Sequence, residues 1–348
     1  MAELDIPSPP AIGSSSDELL SASLNLDLVA KGFTECRIVP FLGAAVNLCG
    51  RPTDEGWSWV PGGEYLPSGR ELSEYLAREF KYSEGDPADL LRVAQYVAVL
   101  GSDQWLNSKL REIFLGNFRP NSLHQLLAGM PTRLRRMEGK SRPDSSSRRY
   151  VIATTNYDDV LECALTEIEQ KFHLVSYTIS GERGVNFLHR SPDGELDDIQ
   201  SPPNEYTGLV RDQYPVILKI HGAVDRLDED RDSYVITEDH YIDYLMRGTQ
   251  LTAFLPPPLP ATLQKAQILF LGYSLRDWNL RAMLERMWKE RREKNNATSA
   301  WAIQLKPKES DRLFWHRKNV KIIDMDLSKF TEELSNRLVS LESKGGEK

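Results

Sequence analysis

The 348-residue chain predicts an α/β fold: a mostly parallel sheet with helices on both faces and a helical insertion between the first two strands. Three observations point there. Short, continuous apolar runs at 37–42, 150–153, 215–220 and 267–271 read as strands buried on both faces. The last third alternates strand and helix patterns, which predicts parallel strands joined by helical crossovers. Each apolar run also stops abruptly at small or polar residues: Gly43-Ala44-Ala45-Val46-Asn47, Thr154-Thr155-Asn156-Tyr157-Asp158, His221-Gly222 and Gly272-Tyr273-Ser274. In open α/β sheets, ligands bind beyond the carboxyl ends of the strands, so these four stops are the candidate site.

The elements follow in order. Residues 1–16 are Pro/Ser-rich and predict a disordered segment or a partner arm. An amphipathic helix is expected over 17–32, on Leu19, Leu20, Leu24, Leu26, Leu28 and Val29. The first strand, 37–42, carries Pro40, which lacks the donor a central strand uses. A tight loop follows at 43–47, then a long irregular loop at 50–69 rich in glycine and proline, with Trp57 and Trp59. Helical periodicity at 71–80, 87–100, 105–115 and 122–128 makes the insertion, bounded as 70–130. A solvated loop spans 138–149. The central strand at 150–153 hands over to a helix through Val160, Leu161, Ala164, Leu165 and Ile168. Strands are expected at 172–179 and 185–189, an acidic surface loop at 191–213, a strand at 233–237 and a helix at 239–247 that ends before the prolines at 256–260. Helices at 279–292, 310–317 and 327–341 alternate with strands at 268–271, 300–305 and 320–323.

Composition excludes several classes. A formal net charge of −8 argues against a broad basic face for a phosphate backbone. Cys36, Cys49 and Cys163 are scattered, with no C-x-x-C pair, which predicts reduced thiols and no zinc ribbon or disulfide framework. No apolar run reaches membrane-spanning length and the N-terminus lacks a signal pattern, so a soluble cytoplasmic protein without membrane contact is expected. Metal-binding patterns, a Walker A loop and a G-x-S-x-G elbow are absent from the sequence.

The four strand ends carry the chemistry. A glycine turn after the first strand lets backbone N–H groups approach a pyrophosphate, or it is simply a tight turn packed with small residues. Asn156 offers a carboxamide that donates and accepts, suited to a ribose hydroxyl or a water. It and Asp158 also suit the start of the following helix. His221 closes an apolar strand and is the side chain best fitted to move a proton near neutral pH; Gly222 leaves room beside it. A purely structural histidine is the alternative there, and His124, His173, His189, His240 and His316 read that way. Gly272 allows close backbone approach, and Ser274 can bond a phosphate or ribose oxygen.

Taken together and in order, Phe41-Leu42-Gly43-Ala44-Ala45-Val46-Asn47, Thr154-Thr155-Asn156-Tyr157-Asp158, Lys219-Ile220-His221-Gly222 and Leu271-Gly272-Tyr273-Ser274-Leu275 resemble the sirtuin-like superfamily over residues 38–285. The pattern is most similar to bacterial sirtuin-like NADases of antiphage defence. The stretch Gly43 to Pro52 resembles the subunit that pairs with a HerA-type ATPase. The resemblance implies a Rossmann-like domain over 17–348 and hydrolysis of the nicotinamide–ribose bond of NAD⁺, the substrate, without a metal. Asn156 would position ribose and water, His221 would accept a proton, and Asp158 would orient the nicotinamide side or hold the loop. Gly43, Ala44, Ala45, Asn47, Thr155, Gly222, Gly272 and Ser274 would surround phosphates and ribose. A homo-oligomer, a HerA-like ATPase or DNA translocase as partner, and nucleic acid reached only through that partner are implied as well. A non-catalytic NAD⁺ or ADP-ribose scaffold, a protein deacylase and a nuclease subunit are the alternatives. Two departures stand out: Ala45 and Asn47 replace the second glycine and the serine of G-A-G-x-S, and the zinc-ribbon cysteines of the deacylases are missing.

Overall fold

The computed structural model describes residues 15–52, 54–138, 149–180, 184–199, 205–210, 212–247, 255–273 and 300–345. Among these, nine strands form one sheet: β1 (Ile38–Leu42), β2 (Val151–Thr154), β3 (His173–Ser180), β4 (Gly184–Arg190), β5 (Leu196–Ile199), β6 (Val216–Lys219), β7 (Gln267–Leu271), β8 (Ala300–Gln304) and β9 (Val320–Asp324). Their order is β5-β4-β3-β6-β2-β1-β7-β8-β9. Every pairing is parallel except β3 with β4 and β4 with β5. The chain leaves β1 toward β2 on one side and reaches β7 on the other, so the order reverses at β1. That reversal opens a crevice at its carboxyl end.

Among the described residues, ten helices accompany the sheet: α1 (Ser15–Thr34), α2 (Gly69–Glu79), α3 (Leu90–Gly101), α4 (Asp103–Phe114), α5 (Ser122–Glu138), α6 (Val160–Glu167), α7 (Glu238–Arg247), α8 (Leu259–Lys265), α9 (Glu309–His316) and α10 (Leu327–Gly345). Residues alternate along each strand between two cores, as the pleat requires. Ile38, Leu42, Ile152 and Leu269 pack with Phe33 of α1, Leu127 of α5, Leu165 of α6 and Phe330 of α10. Val39, Phe41, Ala153 and Phe270 pack with Tyr241 of α7, Leu263 of α8 and Trp315 of α9. A third core, built from Leu76, Val97 and Leu106, holds α2, α3 and α4 together and reaches Val160, Val224 and Tyr234. The insertion is therefore seated on the strand-end loops.

Pro40 stands inside β1. The Leu42 carbonyl bonds to Thr155, so even-numbered residues of β1 turn their backbone groups toward β2. The β1–β2 ladder begins only at Phe41, which leaves the missing N–H of Pro40 where pairing has not started. Several expectations are corrected. Residues 233–237 do not form a strand: the segment is extended, but Ser233 and Val235 donate to the carbonyls of Ala223 and His221, so it pairs with the loop after β6 instead of joining the sheet. The 191–213 stretch contains β5. The helix at 122–128 runs on to Glu138 through Pro131. The prolines at 256–260 start α8 as well as following α7, since Pro260 falls in a first turn whose N–H groups have no helical partner. Arg149, assigned to a solvated loop, is 4% exposed and ion-paired with Asp212. The N-terminal arm through residue 14, Ser274 and the 279–292 helix lie outside the described residues.

Candidate functional site

The end of β1 is an anchor. Its last carbonyl, on Leu42, accepts from the Thr155 N–H at 3.1 Å, the Thr154 hydroxyl at 3.0 Å and the Tyr273 hydroxyl at 2.8 Å. Thr155 Oγ1 and the Tyr273 hydroxyl are also 2.8 Å apart, and Thr154 Oγ1 accepts from the Asn156 N–H. Three strand ends are thereby tied to one atom. The expected tight loop after Gly43 is a short 3₁₀ helix, Ala44–Leu48. Asn121, a residue the sequence did not single out, pins it to the start of α5 by donating to the Val46 carbonyl at 2.8 Å.

Two of the glycines owe their identity to each other. A Cβ on Gly43 would lie 2.7 Å from the Gly272 carbonyl oxygen, and one on Gly272 would lie 2.4 Å from the Val46 nitrogen, at a φ of +73°. Gly222 has a different reason. At φ +93°, its Cβ would sit 2.0 Å from the Ser233 carbonyl oxygen, because the 232–236 segment crosses over it. It lies beneath that crossing and does not line the cleft. Gly222→Ala is expected to cost about 3 kcal/mol or more of stability, measured by urea unfolding, since backbone strain and a backbone clash coincide there.

A cleft of about 370 Å³ opens beyond these strand ends, in the size range of small-ligand sites. Ala44, Ala45, Asn47, Thr155, Asn156, Asp158, His221 and Gly272 all border it. The facing wall comes from the insertion: Ser68, Gly69, Arg70, Leu72, Leu90 and Phe114. Asp158, 5% exposed, accepts from the Val160 N–H at 3.2 Å, starting α6, and from Asn47 Nδ2 at 2.8 Å. Asn156 Nδ2 reaches the Gly43 carbonyl at 3.4 Å. The carboxamide oxygens of Asn47 and Asn156 are buried and have no partner among the described residues. Unsatisfied buried acceptors are costly, so both ask for donors such as hydroxyls, amides or water.

His221 is 6% exposed. Its ring stands edge-on to Tyr241 and Tyr244, with centroids 5.3 and 5.5 Å away, and its Nδ1 is 3.3 Å from the Tyr241 hydroxyl. Burial pushes its pKa down to about 3, so the imidazole is neutral at physiological pH. His124, dismissed on sequence, lies behind the site: burial lowers its pKa to about 4, opposed by the charge of Asp158. Both groups bind protons more readily unfolded than folded. Their contribution to stability is complete above pH 6.5 and is lost as pH falls toward 4, at about 1.4 kcal/mol per pH unit for each imidazole. Thermal midpoints are expected to be flat above pH 7.5 and to fall steeply below pH 6.

Lys219 is the residue the sequence concealed. It is 1% exposed, ion-paired with Glu162 at 2.6 Å, and bonded to the Asp158 carbonyl. It holds the Asn156–Asp158 turn from beneath. Its position at the end of an apolar strand was the only available signal.

Residues 150–323, half of the chain, match the model of the SIR2-like domain. The chain belongs to the SIR2-like family. SIR2-like domains are NAD⁺-dependent, as deacylases or NADases, and the matched half carries Asn156, Asp158 and His221. The Gly43 turn and the insertion lie outside the matched residues and are joined to the SIR2-like part through the β1 pairings and the third core. No curated protein matches the chain.

Proposed function

We propose that this SIR2-like chain is an NAD⁺ hydrolase releasing nicotinamide and ADP-ribose. The supporting observation is the meeting, in one cleft at the switch point of the sheet, of a neutral imidazole on His221 and two unpartnered carboxamide oxygens on Asn47 and Asn156. Cleavage breaks the bond from the nicotinamide nitrogen to ribose C1′, and the electron pair leaves with nicotinamide, which departs neutral. Positive charge develops on the ribose, water adds at C1′, and one proton is released. His221 accepts that proton, from the water or through a ribose hydroxyl, and Asn156 holds the ribose and the water. With its pKa pushed down to about 3, His221 stays unprotonated well below neutrality, so kcat/KM should show no acid limb centred near 6.5.

The missing zinc-ribbon cysteines weigh against the deacylase reading, as does the helical insertion that walls the cleft. A binding-only subunit is the second reading, favoured by Ala45, whose methyl group borders the cleft. In our reading the hydrolase depletes NAD⁺ in antiphage defence and is restrained by self-assembly or by a HerA-like ATPase. Exposed Val99, Leu100 and Trp105, at the turn between α3 and α4, are the kind of surface that supports assembly. Chromatography of NAD⁺ incubated with the protein, alone and with a HerA-type ATPase, tests the activity. Equal yields of nicotinamide and ADP-ribose are expected. NAD⁺ binding without product under either condition would favour the binding-only subunit, and neither binding nor product would overturn both readings.

A further inference from the structure

A dinucleotide site must hold a diphosphate, and the turn that would ordinarily do so has little to offer. The Gly43 N–H is bonded to the Leu271 carbonyl at 2.9 Å, the Ala45 N–H to the Gly272 carbonyl at 3.1 Å and the Val46 N–H to the Gly43 carbonyl at 3.0 Å. Three amides of the turn are therefore spent inside the protein. The opposite wall is differently equipped. Arg70 is the one cationic side chain that lines the cleft among the described residues, and the other charged group there, Asp158, is buried and already bonded. Among the described residues the one ion-pair contact of Arg70, to Glu74 at 3.5 Å, is an exposed i,i+4 pair of the kind that contributes little. Arg70 also sits in the first turn of the 11-residue α2, at the positive end of the helix dipole.

That end of α2 is built rigidly. Ser68 and Glu71 cap it reciprocally. Arg51, 7% exposed, grips Glu71 with both guanidinium nitrogens, at 3.0 and 2.7 Å, and lies over the Trp57 ring at 4.3 Å. The clamp fixes where Arg70 leaves the backbone.

We infer that Arg70, delivered by the helical insertion, binds the substrate diphosphate across the cleft from the Gly43 turn, three of whose amides are already committed. The inference rests on the NAD⁺ hydrolase reading for the identity of the substrate. The test compares the full-length wild type with Arg70→Ala and Arg70→Lys in NAD⁺ turnover and in calorimetric binding of ADP-ribose and of adenosine. Arg70→Ala should raise KM for NAD⁺ and weaken ADP-ribose binding by about tenfold, equivalent to 1.4 kcal/mol, with kcat within about twofold. Adenosine, which has no phosphate, should bind all three proteins alike, and Arg70→Lys should fall between. ADP-ribose affinity should also drop with added NaCl more steeply in the wild type than in Arg70→Ala. Unchanged KM and ADP-ribose affinity in a folded Arg70→Ala protein would overturn the inference and leave the hydrolase reading intact. A wild type that neither cleaves NAD⁺ nor binds ADP-ribose would overturn both.

Discussion

Asn156→Ala should reduce nicotinamide release from NAD⁺ by at least about 100-fold while leaving the thermal midpoint unchanged or slightly raised. The two halves of that expectation come from the same atoms. Asn156 contributes one long hydrogen bond, to the Gly43 carbonyl, and carries a buried oxygen with no partner, so the folded protein loses little when the carboxamide is removed. Its value lies in what the cleft is to hold. His221→Ala should lower the rate comparably but also the stability, by about 2–3 kcal/mol, because the imidazole packs edge-on against two tyrosines. Full turnover in either variant would remove the chemical basis of the proposal; the contrast in stability, read by denaturant unfolding, shows which residue is held in place by packing.

Lys219→Met should destabilise the protein by about 3–5 kcal/mol, the cost of stranding one member of a buried ion pair. Glu162 already has a pKa raised by burial, with Lys219 pulling the other way, and one of its oxygens has no partner. Without Lys219 the carboxyl is expected to take up a proton, so the loss should be smaller at pH 5 than at pH 8. Adding Glu162→Gln should recover part of it. Activity should fall as well, since Lys219 bonds the carbonyl of Asp158 and so supports the turn that carries Asn156. A double variant as damaged as the single one would mean that the backbone contact, and not the ion pair, is what matters.

The sheet was readable because its central strands are buried on both faces and therefore appear as unbroken apolar runs. Asn156, Asp158 and His221 were readable because each ends such a run, and strand ends in this architecture converge. Residues 233–237 misled because an extended, β-branched segment has the same pattern whether it pairs with a sheet or with a loop. Lys219 and Asn121 were invisible for a related reason. Asn121 bonds the Val46 carbonyl, and Lys219 bonds the Asp158 carbonyl besides pairing with Glu162; these carbonyls are far away in the chain, and backbone carbonyls leave no trace in a sequence. Gly43, Gly222 and Gly272 stand out in the structure for a further reason that the sequence does not show: each is crossed closely by another stretch of main chain.

The contact between Gly43 and Gly272 limits how this cleft can be redesigned. Where those two glycines meet, the floor is main chain against main chain, with no side chain to exchange and no space for one. Randomising the floor should yield mostly misfolded protein. Variation aimed at a new ligand is better placed in the helical wall, at Arg70, Leu72, Leu90 and Phe114, whose side chains shape the opening away from that contact.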